Sequence, residues 1–230
     1  SLTHGAAHLI ESFGTRELKE TYVPNMFNGT WAGTMCLTEP NAGSNLAALE
    51  TTAYAEGDHY KIKGSKIFIS WGEHDLTDNI VHLVLARIDG EPEGVKGISL
   101  FVVPKARVHA DGTLGEPNDV VCTGIEEKLG LHASPTAALS FGSRDRCIGY
   151  LCGEKNKGLA HMFQMMNAAR INTGVSGMAM ASAAYLNALA YVKERVQGKD
   201  VAGRQPGDVK IINHPDVRRM LLWMKAGVDG

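Results

Sequence analysis

Cysteine is scarce in these 230 residues: Cys36, Cys122, Cys147 and Cys152 are all there is, and no two form a C-x-x-C pair. That spacing argues against a disulfide scaffold or a thiolate zinc site and fits reduced thiols in a cytoplasmic or matrix setting. His4 and His8 lie one helical turn apart, but HGAAH lacks the glutamate of a metalloprotease helix, so no metal site is expected. Runs of five or more lysines and arginines are missing and the formal net charge is -2, which argues against a nucleic-acid surface or a polybasic membrane anchor. Long apolar runs are missing too. The most apolar stretch, residues 175–190, is broken by Ser176, Ser182 and Asn187 and falls short of the roughly 20 apolar residues of a membrane span. The opening SLTHGAAHLIESFG has no charged region leading into an apolar one, so no signal peptide is expected. The expectation is a soluble, cytoplasmic protein without nucleic-acid or membrane partners.

What is present suffices for a folded core: 44% of residues are apolar and 21% charged. The two ends look unfinished. The chain opens without Met on the edge of a helical pattern, and LLWMKAGVDG breaks off an apolar helical pattern as it begins, so a fragment is expected.

Residues 4–23 predict a helix, with Leu9, Ile10, Phe13, Leu18 and Tyr22 at helical spacing and Pro24 as the stop. Short β-branched and aromatic runs follow at 51–55, 60–70, 80–88, 98–103 and 137–141, and AEGDHY between the first two predicts a hairpin turn. Several short strands without intervening helices predict an antiparallel sandwich or barrel. After Gly158 the helical period returns, and Thr173, Gly177, Ala181, Ala184 and Ala188 form a stripe of small residues suited to close helix packing in a bundle. GKDVAGRQPGD predicts a loop and Pro215 opens a last helix. The resulting plan is β plus α: residues 1–29 end a helical domain, 30–154 form the β middle domain, and 155–230 begin a second helical domain.

Two segments carry candidate chemistry. MCLTEPNAGSN, residues 35–45, is an apolar strand end that breaks at Pro40 into a turn with Gly43 and Ser44, where backbone can approach a ligand and amides can cradle an anion. Taken singly, it reads first as a plain β-to-loop turn, because turn residues are common. In KGSKIFISWG, strand alternation puts Phe68 and Ser70 on one face and Ile67 and Ile69 on the other. A ring beside a hydroxyl suits a planar heterocycle, while a core Phe68 and a turn-starting Ser70 is the plainer alternative.

Together the two segments resemble the acyl-CoA dehydrogenase family, whose middle domain has C-[LV]-T-E-P-x-x-G-S-[DN], matched by Cys36 to Asn45, and G-x-K-x-[WF]-I-[TS], matched by Gly64 to Ser70. The resemblance implies FAD as cofactor, held through Met35, Cys36, Leu37, Thr38, Gly43, Ser44, Phe68, Ile69 and Ser70, with Phe68 against the isoalloxazine and the Ser70 hydroxyl at flavin N5. It places Ser44, Asn167 and Arg170 at the acyl-CoA substrate. Arg195, in an altered form of the family's Y-x-x-x-R-x-x-F-G, corresponds to an arginine that reaches the FAD of a neighbouring subunit, which implies a homo-oligomer, dimer or tetramer. GEHDL and HPDVRRML are similar to the subgroup that includes 3-methylmercaptopropionyl-CoA dehydrogenases. The implied activity is α,β-dehydrogenation of an acyl-CoA in fatty acid metabolism, with electron-transfer flavoprotein as acceptor.

The reaction needs a carboxylate base. Some family members place it immediately before the arginine matching Arg170, but that position is Ala169 here, so no catalytic residue is expected in this chain and the base is expected beyond Gly230. Glu39 reads as a structural or orienting group, and Glu126 and Glu127 as solvated charges. The expected fragment would then bind FAD weakly or not at all. Acyl-CoA oxidases, flavin monooxygenases and nitroalkane oxidases share the fold and are the alternatives. A non-catalytic β-domain binding module is the alternative of another class.

Overall fold

Apolar runs in the middle of the chain build the sheet that everything else packs on. In the computed structural model, which describes residues 2–230, these strands are β1 (Trp31–Cys36), β2 (Thr52–Glu56), β3 (His59–Ser70), β4 (Asn79–Ile88), β5 (Ile98–Pro104), β6 (Ala106–Val108), β7 (Leu114–Pro117), β8 (Val120–Ile125), β9 (Thr136–Phe141) and β10 (Ile148–Leu151). Helices α1 (Leu2–Phe13) and α2 (Arg16–Phe27) precede them; α3 (Gly158–Glu194), the short strands β11 (Val196–Lys199) and β12 (Asp208–Lys210), and α4 (Pro215–Asp229) follow. Two units result, one ending at Ala169 and one spanning Arg170–Gly230.

In the first unit, the neighbouring strands β4 and β5 are buried on both faces. On β4, Val81, Leu83 and Leu85 join one cluster while Val84, Ala86 and Ile88 join another, as period-two alternation requires. β5 divides the same way: Ile98, Leu100 and Val102 against Phe101 and Val103. The first cluster is completed by Ala6, Leu9 and Ile10 of α1, Tyr22 and Met26 of α2, and Met162 and Met165 of α3. The second is closed by Ile62 and Ile69 of β3 and Leu139 and Phe141 of β9. The pairings run β4–β5–β10–β3–β2 and return from β2 to β4. Most are antiparallel, as expected, while β1–β4 and β2–β4 are parallel. The connections into β4 are long enough to cross over, which parallel neighbours demand.

The AEGDHY hairpin is observed, with Gly57 at φ 64. The single helix predicted for residues 4–23 is instead two. α1 ends at Phe13, and Thr15 caps α2 by accepting the Leu18 amide at 3.3 Å. Pro24 does not stop α2. It lies inside the helix, and its carbonyl accepts from Asn28 N at 3.1 Å, so the turn after it is retained.

In the second unit, the small-residue stripe from Thr173 to Ala184 is exposed, as are Ile171, Val175, Met178 and Met180. The predicted 198–208 loop is framed by β11 and β12, and Asp200 organises it by taking two hydrogen bonds from the Arg204 guanidinium at 2.9 and 3.0 Å.

Candidate functional site

β1 delivers the chain to Leu37, where MCLTEPNAGSN leaves the sheet. Pro40 removes a backbone donor, and Glu39 and Ala42 close a tight turn through reciprocal backbone hydrogen bonds of 3.0 and 3.1 Å. Beyond it Gly43, Ser44 and Asn45 lie exposed, with open space around Gly43, and Asn45 caps a 3-10 turn by accepting Ala47 N at 3.2 Å.

The second segment lies directly beside the first, since Ile67 N donates to Thr38 O at 2.9 Å. Its geometry is not that of a regular strand. Lys66 pairs with Leu139 and Ile69 with Ala137, so β3 holds one residue more than its partner and bulges. Phe68 sits in the bulge at φ 59, and Trp71 follows at φ 56. A left-handed backbone at a bulky residue costs about 1–3 kcal/mol and persists only where the surroundings impose it. The result is that Phe68 is 58% exposed and Ser70 exposed, while Ile69 between them is buried. The plainer alternative of a core Phe68 is thereby overturned. The face shared by Phe68 and Ser70 is real, but simple alternation would add Lys66 to it. The bulge instead turns Lys66 wholly inward.

Lys66 is the residue that periodicity missed. Its ammonium donates to Leu37 O at 3.0 Å and to Glu39 Oε1 at 2.8 Å. Glu39, only 4% exposed, also accepts from Glu50 N at 2.6 Å, Thr51 N at 3.1 Å and Thr51 Oγ1 at 2.5 Å. Burial pushes the Glu39 carboxyl up, but the Lys66 charge and these donors outweigh it and hold it below the usual carboxylate range. Burial also pulls the Lys66 amine below its ordinary value, against the opposing pull of Glu39. Glu39 is thus spoken for structurally. A basic residue inside G-x-K, spaced to face inward only if a bulge intervenes, was the one available signal for the pair.

Behind the turn, Cys36 faces the core rather than the open side. Burial drives its thiol up to about 12, and its Sγ lies 3.4 Å from Thr34 Oγ1 and 3.9 Å from His82 Nδ1. His82 is itself fully buried, 2.7 Å from Thr34 Oγ1, and burial depresses it to about 3, so it is neutral. Leu37 and Ile69 are buried and Met35 is half-buried against the core. These positions therefore present backbone, whereas Thr38, Ser44, Phe68 and Ser70 have side chains open to solvent to some degree. Asn167 is exposed on the α3 part of the first unit; Arg170 and Arg195, both exposed, belong to the second unit. Arg195 Nη2 lies 3.4 Å from Gln197 Oε1.

The open edge thus offers an apolar ring, hydroxyls and an exposed Gly-Ser turn on one rigid frame. That combination suits a flat aromatic ligand with a polar, hydrogen-bonding rim. Among the described residues no group of three or more His, Cys, Asp or Glu forms a metal cluster.

Comparison with known proteins gives the same direction. The family model for the acyl-CoA dehydrogenase middle domain matches residues 34–143. The 3-methylmercaptopropionyl-CoA dehydrogenase of Ruegeria pomeroyi is 49% identical over the whole chain, which spans 39% of that protein. A butyryl-CoA dehydrogenase of Syntrophomonas wolfei is 47% identical over 98% of the chain and 38% of its own length. The solved butyryl-CoA dehydrogenase of Megasphaera elsdenii superimposes with a TM-score of 0.76 at 28% identity, covering 99% of this chain and 55% of that one. The chain therefore spans well under two thirds of the relatives it matches.

Proposed function

We propose, from the premise that the chain belongs to the acyl-CoA dehydrogenase family, that it forms the flavin-holding part of an FAD-dependent enzyme that desaturates an acyl-CoA thioester. One observation carries the reading: Phe68 is held in a left-handed bulge, at a cost in backbone energy, with its ring turned outward beside Ser70. A ring held exposed at that backbone cost, beside a hydroxyl, supports reading the edge as a wall for a planar ligand such as a flavin.

Bound there, FAD supplies the hydride acceptor. The residues of this chain bind and orient. Phe68 offers its ring as an apolar wall, and the Ser70 hydroxyl donates to the ligand's polar rim. Thr38 and Ser44 supply hydroxyls along the same segment, and the Gly43–Ser44 turn presents backbone to anionic groups. Ser44, Asn167 and Arg170 are proposed as contacts to the thioester substrate, and Arg195 as a contact to FAD in a homo-oligomer. Ala169 cannot accept a proton, so the base that takes the α-proton is proposed to come from sequence outside these 230 residues. Electron-transfer flavoprotein is the proposed oxidant of the reduced enzyme, and the cytoplasm its proposed location.

The test is product and acceptor together. Full-length protein mixed with a saturated acyl-CoA should yield the α,β-enoyl-CoA and pass electrons to an electron-transfer flavoprotein. Stoichiometric peroxide without electron transfer would reassign it to the oxidases, and no enoyl product would refute the dehydrogenase reading.

A further inference from the structure

We infer that the buried pair Lys66–Glu39 is a positioning device for the flavin cradle, setting how the Leu37–Ser44 turn sits against the Phe68 bulge. The inference rests on the reading of the site as a flavin cradle.

Three chain segments meet at this pair. Lys66 Nζ reaches Leu37 O and Glu39 Oε1 at 3.0 and 2.8 Å, which ties β3 to the turn. Glu39 then reaches the amides of Glu50 and Thr51 and the Thr51 hydroxyl, which ties the turn to the start of β2. Gly64 completes the frame. A Cβ there would lie 2.4 Å from Thr51 Oγ1 and 2.8 Å from Thr51 Cα, so only glycine lets β3 approach Thr51 this closely. The glutamate of T-E-P and the glycine and lysine of G-x-K are therefore parts of one network, although they lie far apart in the chain.

The bulge links that network to the ring. The one extra residue between Lys66 and Ile69 lets Lys66 face inward while Phe68 faces outward. Fixing the ammonium on Leu37 O consequently fixes both the height of the bulge and the backbone of Leu37, Thr38 and Glu39. Stability alone does not explain such a pair. Desolvating two charges offsets most of their attraction, and apolar residues of similar volume commonly serve a core equally well. What the pair adds is a single geometry, because an ammonium and a carboxylate with these partners are satisfied in one arrangement only.

The experiment uses full-length protein, the double variant Lys66→Met with Glu39→Gln, and the milder Thr51→Val. For each apoprotein, cooperative thermal unfolding is checked, and FAD Kd is measured by fluorescence titration well below the transition. The visible circular dichroism of the bound flavin reports its orientation. A positioning role predicts a double variant that unfolds cooperatively yet binds FAD at least about tenfold more weakly, with an altered flavin dichroism. It predicts a several-fold weakening for Thr51→Val. Wild-type Kd and dichroism in both variants overturn the inference and leave the flavin reading intact. If the double variant does not fold, Thr51→Val decides: weakened binding supports the inference and unchanged binding overturns it. Wild-type protein that takes up no FAD overturns the functional reading, and this inference with it.

Discussion

Acid should unfold this protein through a histidine that the proposed chemistry never uses. His82 is completely buried between Thr34, Cys36 and the Phe141 ring, and burial holds it near 3, against an ordinary value of 6.5. The fold therefore holds the ring neutral down to about that value. A group whose folded value is depressed contributes stability that is complete above its unfolded value, here about 6.5, and is lost as pH falls toward 3. Across that window the loss reaches about 5 kcal/mol, at roughly 1.4 kcal/mol per pH unit, and between pH 7 and pH 5 it is about 2 kcal/mol. The perturbation that isolates it is His82→Gln, whose carboxamide can still meet Thr34 Oγ1 but cannot titrate. Urea unfolding of full-length protein and variant, followed by tryptophan fluorescence at pH 7, 6 and 5, gives the two slopes. The wild type should lose about 2 kcal/mol more than the variant over that range. Parallel slopes would mean that His82 is protonated at no cost in the fold.

Other outcomes follow from the same geometry. Lys66→Met alone should lower stability by about 3–5 kcal/mol, because it leaves Glu39 charged and buried without its cation, and Glu39→Gln added to it should recover much of that loss in thermal unfolding. Gly64→Ala should lower the melting temperature, at a cost of about 1–3 kcal/mol, because the methyl has no room beside Thr51. Ser70→Ala should weaken FAD binding or slow reduction by about tenfold through loss of one donor; an unchanged affinity and rate would make Ser70 a strand-end residue only.

How much of this was readable from residues alone depends on period. β4 and β5 were legible because their β-branched and leucine runs are long, and the AEGDHY turn because Gly57 needs a positive φ. The Phe68–Ser70 face was legible for the right residues, but on a rule that fails one residue earlier. A bulge changes the parity of a strand, and in KGSKIFIS only the lysine of G-x-K hints at one, so strand alternation alone points Lys66, the best-buried charge near the site, the wrong way. The break between α1 and α2 was hidden for a different reason. Gly14 and Thr15 interrupt the helix without interrupting its apolar pattern, while Pro24 looked like a stop and was not. Cys36 shows the converse: the segment is where a ligand-holding turn should be, yet the cysteine side chain faces the core because β1 is still a strand there.

The most direct test of the flavin site is the visible spectrum of the full-length protein. A flavin site of this kind gives a yellow protein with one FAD per chain whose absorbance bleaches on anaerobic addition of a saturated acyl-CoA. Phe68→Ala should release the flavin. A full-length protein that stays colourless when supplied with FAD, or whose bound FAD no acyl-CoA reduces, would contradict such a site.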